Sequence, residues 1–178
     1  LYISNFFSAS SSYNERDPKG RMWVANKIKS NVTNFKLNKK KRIFISRQNV
    51  DTRYITNFNE IKYVLNKHNI EIYYPGKTNF IDDVNIFKDT ELIVGPHGAG
   101  LGNMIFSKDC HVIEICSEEK WKTTSMIYTA LEFGFTFDTI KAIRDKKYEK
   151  TSKFKEAWYV SPIELDEVIS NSKNYSIK

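Results

Sequence analysis

Short apolar runs alternate with stretches that repeat an apolar residue every three or four positions. Apolar runs predict buried strands, and the three-to-four spacing predicts helices with one buried face. The predicted strands cover residues 43–45, 70–74, 91–94, 111–115, 135–140 and 158–160. The predicted helices cover 21–34, 57–68 and 121–133, with another opening near the candidate cap Thr78 and a last one starting at Pro162. Residues 1–20 read as a linker or loop, and the charged stretch 141–156 reads as a loop.

This alternation predicts an α/β fold, a Rossmann-like parallel sheet flanked by helices, over residues 21–178. At 178 residues the chain suits one such domain. In parallel sheets, ligands bind beyond the carboxyl ends of the strands. The residues expected at that edge are Ser46-Arg47, Pro75-Gly76, Gly95-Pro96-His97 and Ile115-Cys116.

The stretch 92–105, Leu-Ile-Val-Gly-Pro-His-Gly-Ala-Gly-Leu-Gly-Asn-Met-Ile, predicts a strand, a tight glycine loop and a helix start. Free N–H groups at a helix start attract anions, typically phosphates. Glycines allow the ligand to approach the backbone closely. The loop is therefore interpreted as a phosphate-binding loop, and a plain turn with a satisfied histidine is the structural alternative.

Two other readings of this loop need motifs that the chain lacks. An esterase oxyanion loop requires a Gly-x-Ser-x-Gly nucleophile elbow, and a Walker loop requires Gly-Lys-Ser/Thr. Neither occurs, and the loop glycines do not follow the Gly-x-Gly-x-x-Gly spacing.

Two arginines are expected to face the same crevice as the glycine loop, and a buried glutamate is expected to need a partner. Arg47 and Arg53 follow the first strand, and guanidinium groups suit bidentate capture of a diphosphate. Glu114 lies within the apolar run 112–115, where a carboxylate needs a partner. Ribose hydroxyls or one of the arginines could satisfy it, and a purely structural ion pair is the alternative.

The net charge of +7 favours anionic partners, although lysines spread over a solvated surface would give the same value. A nucleic-acid site would rest only on that charge and on the run 39–42, which is better explained as a solvated lead-in to a strand. Cys110 and Cys116 flank a strand, so two free thiols are expected. No metal-ligand spacing and no membrane-spanning run is found in the sequence.

Taken in order, several segments resemble glycosyltransferase family 61, which includes plant xylosyl- and arabinosyltransferases, O-mannose N-acetylglucosaminyltransferases and capsular polysaccharide enzymes. The resemblance covers roughly residues 41–140. Its segments are Ile45-Ser46-Arg47, Arg53 to Asn57, Glu60, Val94 to Asn103, Phe106 and Val112 to Ile115.

The resemblance implies inverting, metal-independent transfer from a nucleotide sugar, usually a UDP-sugar, by an enzyme of two Rossmann-like halves (GT-B). It places Ser46, Arg47, Arg53, His97, Gly98, Ala99, Gly100, Asn103 and Glu114 in the donor site. No cofactor is expected beyond the donor itself. His97 is the candidate catalytic residue, although the base that deprotonates the acceptor is expected in the other half.

The chain has room for one half, so we expect the donor-binding half. An acceptor-binding domain is then expected in a parent chain or another subunit, together with a glycan acceptor. A non-catalytic module that binds a nucleotide or anionic glycan is the alternative function. The family resemblance is compatible with bacterial cytoplasm, which is favoured, and with the lumen of the secretory pathway.

Overall fold

The computed structural model describes residues 18–32, 40–117, 126–148 and 156–172. The predicted linker residues 1–17 and the predicted helix residues 121–125 lie outside these ranges. Within them, seven strands form one curled, mostly parallel sheet with helices on both faces, which confirms the Rossmann-like α/β prediction.

The strands are β1 (Lys41–Ile45), β2 (Tyr54–Ile55), β3 (Glu71–Tyr73), β4 (Thr90–Pro96), β5 (His111–Ser117), β6 (Thr136–Arg144) and β7 (Ala157–Tyr159). The α-helices are α1 (Pro18–Asn31), α2 (Phe58–Lys67), α3 (Phe80–Lys88), α4 (Met126–Glu132) and α5 (Pro162–Ser172). In the part of the chain that the structure describes, two 3₁₀ helices cover Ala99–Phe106 and Lys146–Tyr148.

Five parallel strands form the main sheet in the order β3-β1-β4-β5-β6. The central strands are continuous apolar runs because both faces of the sheet are covered. Strand β7 joins β6 antiparallel, and the short β2 adds to β7 in parallel. Since β2 follows β1 in the chain, the segment between them must cross the carboxyl edge of the sheet.

Two hydrophobic clusters fill the space on the two faces of the sheet. One joins Phe44, Leu65, Ile113 and Leu165, and so packs α2 and α5 against the sheet. The other joins Ala25, Phe87, Leu101 and Ala130, and so packs α1, α3, the longer 3₁₀ helix and α4 on the opposite face.

Several sequence-based boundaries were wrong. Helix α1 begins at Pro18, inside the predicted linker, because proline fits the first helical position, where its missing N–H costs no hydrogen bond. The cap of α3 is Asn79 rather than Thr78, since the Asn79 side chain accepts from the Asp82 N–H. The predicted loop 141–156 is wrong at its start, because β6 continues to Arg144 with Ala142 buried.

Candidate functional site

The candidate site lies where the order of the strands reverses. Among the five parallel strands, β3 lies on one side of β1 and β4, the next of them in the chain, lies on its other side. The neighbours β1 and β4 therefore form a topological switch point. Open α/β sheets bind ligands in the crevice outside the carboxyl ends of such strands. Here β1 ends at Ile45 and β4 ends at Pro96, which brings Arg47 and His97 to the same edge.

Glycines allow the loop after β4 to sit close against its neighbours. A Cβ on Gly95 would lie 3.0 Å from the Ile45 Cβ and 3.2 Å from its carbonyl oxygen. A Cβ on Gly100 would lie 3.0 Å from the Ile45 Cγ2. The His97 N–H donates to the Ile115 carbonyl at 2.7 Å, which extends the pairing with β5. The predicted helix start exists, but the segment from Ala99 is a 3₁₀ helix.

The guanidinium groups of Arg47 and Arg53 converge over Gly98. A Cβ on Gly98 would lie 2.8 Å from Arg47 Nη1 and 3.7 Å from Arg53 Nη1. Arg47 Nε donates to the Thr52 carbonyl at 2.9 Å, and Arg53 Nη1 donates to the His97 carbonyl at 2.6 Å. Backbone carbonyls therefore hold the two cations in place.

Neither of these arginines forms an ion pair within the described ranges. Burial lowers the pKa of Arg47, and the positive charge of Arg53 lowers it further. Two guanidinium groups that lie close together and are not paired with a carboxylate suit an anion with several charged oxygens, such as a diphosphate.

His97 and Glu114 form a second pair in the same site. The Nδ1 of His97 lies 2.6 Å from Glu114 Oε1. The Glu114 side chain has no exposed surface, whereas a fifth of the His97 side chain is exposed. Among the described hydrogen bonds, Glu114 pairs with the His97 imidazole, whereas both arginines donate to backbone carbonyl groups. A carboxylate on one ring nitrogen fixes the orientation of the imidazole.

Ser46 and Asn103 are less closely tied to this cluster. The Ser46 side chain is buried, and its Oγ accepts from the Gln48 N–H at 3.2 Å, so it shapes the turn after β1. Asn103 lies within the 3₁₀ helix, past Gly98, Ala99 and Gly100. In the part of the chain that the structure describes, its side chain makes no hydrogen bond to either arginine.

Sequence reasoning missed the residues that hold the arginine segment, which runs from Arg47 to Arg53. The Gln48 side chain hydrogen-bonds both backbone groups of Ile55, and the Arg53 N–H donates to the Glu156 carbonyl at 2.5 Å. Arg53 has a φ of +56°, which is uncommon for a residue with a side chain. Gln48 lies in a polar stretch without apolar periodicity, so no sequence signal identified its partner.

Within 18–32, 40–117, 126–148 and 156–172, no group of three or more His, Cys, Asp or Glu is arranged to hold a metal ion. None of the helices in these ranges has the length and apolar character needed to cross a membrane.

Comparison with known proteins adds one finding to this geometry. The family model described as Glycosyltransferase 61 matches residues 2–113, which is more than half of the chain. The match includes the glycine loop and both arginines and ends within β5, one residue before Glu114. A search of curated proteins finds no match.

Proposed function

Because the chain belongs to glycosyltransferase family 61, we propose that it binds a nucleotide-sugar donor, specifically a UDP-sugar, for inverting and metal-independent transfer to a hydroxyl acceptor. The observation that carries this proposal is the convergence of Arg47 and Arg53 on Gly98 at the switch point. In this proposal the two guanidinium groups bind the diphosphate of the donor. Their positive charge would also stabilise the phosphate that leaves during transfer.

His97 is the residue that we assign to the reacting part of the donor. Its Nδ1 lies 2.6 Å from Glu114 Oε1, which orients the ring, and we assign the oriented imidazole to the donor phosphate or sugar. Glu114 has no exposed surface and is therefore assigned a role through His97, in place of direct contact with the ribose. The acceptor, and the base that deprotonates it, are assigned to an acceptor-binding domain in a parent chain or another subunit.

Calorimetric titration with UDP tests the donor site. We expect Arg47→Ala, Arg53→Ala and His97→Ala each to weaken UDP binding by about tenfold or more, since a charge-assisted hydrogen bond contributes about 1.5–3 kcal/mol. Lys40→Ala is the matched control, because it removes an exposed cation at the amino end of β1. Unchanged affinity in Arg47→Ala and His97→Ala would overturn the assignment.

A transfer assay separates this function from that of a binding module. The chain is incubated with UDP-sugars and hydroxyl acceptors, with and without a candidate acceptor-binding partner. Sugar transfer that requires His97 supports the proposed enzyme. UDP binding without transfer under every condition indicates the non-catalytic module instead.

A further inference from the structure

Gln48, the only glutamine in the chain, forms a strand-like pair with Ile55 through its side chain. Its Nε2 donates to the Ile55 carbonyl at 2.9 Å, and its Oε1 accepts from the Ile55 N–H at 2.9 Å. The amide thus satisfies both backbone groups of the residue that follows Tyr54 in β2. Gln48 itself is exposed, so this pairing is not a consequence of core packing.

This pairing closes residues 48–55, a segment that carries Arg53 and directly follows Arg47. Arg47 is tied to the segment, because the Val50 N–H donates to the Arg47 carbonyl at 3.1 Å and Arg47 Nε donates to the Thr52 carbonyl. Arg53 adopts its left-handed φ of +56° there, which is unfavourable for a residue with a Cβ. Such a conformation persists only where surrounding contacts enforce it.

Contacts from two sides hold the backbone at and just after that strained position. On one side, β7 pairs with β2, and the Glu156 and Trp158 carbonyls accept from the Arg53 and Thr56 N–H groups. On the other side, the Gln48 side chain binds both backbone groups of Ile55. Without the Gln48 side chain, the backbone at Arg53 would be freer to return to negative φ. The Arg53 side chain would then leave the direction in which Nη1 reaches the His97 carbonyl.

We infer that Gln48 is a positioning residue, which sets the guanidinium of Arg53 for the donor diphosphate by clamping Ile55. This inference rests on the proposed function, because the diphosphate is the ligand that Arg53 is assigned to bind.

A double-mutant cycle on the 178-residue chain tests the inference, with inorganic pyrophosphate and UDP as the titrated ligands. We expect Gln48→Ala to weaken pyrophosphate binding by about tenfold, similar to Arg53→Ala. The double variant should bind no more weakly than Arg53→Ala alone, because Gln48 acts through Arg53. A residue that only supports the fold would instead give losses that add.

Asn49→Ala is the matched control. Asn49 is an exposed amide in the same turn, and in the described ranges its side chain makes no hydrogen bond. We expect it to keep wild-type affinity for both ligands. Thermal unfolding of all variants confirms that they remain folded.

Gln48→Glu provides a pH readout. An ionised glutamate can accept from the Ile55 N–H, but it has no hydrogen to donate to the Ile55 carbonyl, so one of the two hydrogen bonds is lost. A protonated glutamate has an O–H and can donate to that carbonyl again. The wild-type to variant affinity ratio should therefore fall toward one as the pH drops from 7 toward the ordinary glutamate pKa of about 4.3.

The outcomes distinguish the two proposals. Wild-type binding of pyrophosphate with undiminished binding by Gln48→Ala overturns the role of Gln48 and leaves the donor site standing. Additive losses in the cycle, or a pH-independent ratio for Gln48→Glu, also overturn it. If the wild-type chain binds neither pyrophosphate nor UDP, the donor site is refuted and the role of Gln48 is refuted with it.

Discussion

Gly98 is the position where the absence of a side chain matters most for the candidate site. Its Cα faces the arginine pair, and a single methyl group there would occupy the space that Arg47 Nη1 now fills. Gly102 lies four residues later in the 3₁₀ helix, and a Cβ added there would meet no atom within 4 Å. The two glycines therefore differ in their surroundings although they share a motif.

Gly98→Ala should weaken UDP binding by about tenfold, because the methyl group displaces the Arg47 guanidinium and removes a charge-assisted contact. The stability of the fold should change little, since the displaced atoms end a flexible side chain. Titration calorimetry and thermal unfolding measure the two effects. Gly102→Ala is the control and should match the wild type in affinity. Equal affinities for the two variants would contradict the proposed position of the diphosphate.

At the scale of elements, the central strands could be predicted because their apolar runs are continuous. Because the carboxyl ends of parallel strands meet at one edge of the sheet, Arg47 and His97 could then be predicted to lie at the same edge. The two-residue β2 could not be predicted, because it is fixed by pairing with β7 rather than by its own composition. The end of β6 was missed because Lys141 and Ile143 are exposed while Ala142 is buried, and a charged alternating strand resembles a loop in sequence.

Helix α3 provides a test of a single capping contact. Asn79→Ala removes the oxygen that accepts from the Asp82 N–H, so the free energy of unfolding should fall by about 1 kcal/mol. Asn79→Ser keeps an oxygen that can accept from the Asp82 N–H and should retain most of the stability. It is preferred to Asn79→Asp, because the Asn79 Nδ2 donates to the Asp82 carboxylate at 2.7 Å and an aspartate would repel that group. Urea denaturation measures both variants. If the alanine variant is as stable as the serine variant, Asn79 is not the effective cap.

At the scale of the whole molecule, the two ends of the sheet carry different charged groups. The carboxyl end holds the arginines and the His97–Glu114 pair. The amino end of β5 instead buries His111, whose Nδ1 lies 2.7 Å from Thr136 Oγ1 and whose Nε2 lies 3.2 Å from Asp138 Oδ2. Burial lowers the pKa of His111, and the Asp138 carboxylate offsets part of that effect.

His111 should make the folded state less stable in mild acid. Its pKa in the folded chain lies below the ordinary 6.5, so the unfolded chain binds a proton first and stability falls as the pH drops below about 6.5. Melting temperatures between pH 7 and 5 measure this loss. His111→Asn replaces the imidazole with an amide that does not titrate and can bond Thr136, so it should lose less stability over that range. Identical pH slopes would show that His111 does not contribute.

The contacts between the arginine segment and the residues at β7 bear on how far the amino-acid sequence around the candidate site can change. Glu156 and Trp158 meet Arg53 and Thr56 through backbone carbonyl groups, which every amino acid possesses. These two contacts therefore place no demand on the side chains at positions 156 and 158, and substitutions there could preserve them. Strand β7 and the residue before it can therefore shape the candidate site without requiring particular side chains that a sequence comparison would detect. The family match ends at residue 113, well before β7.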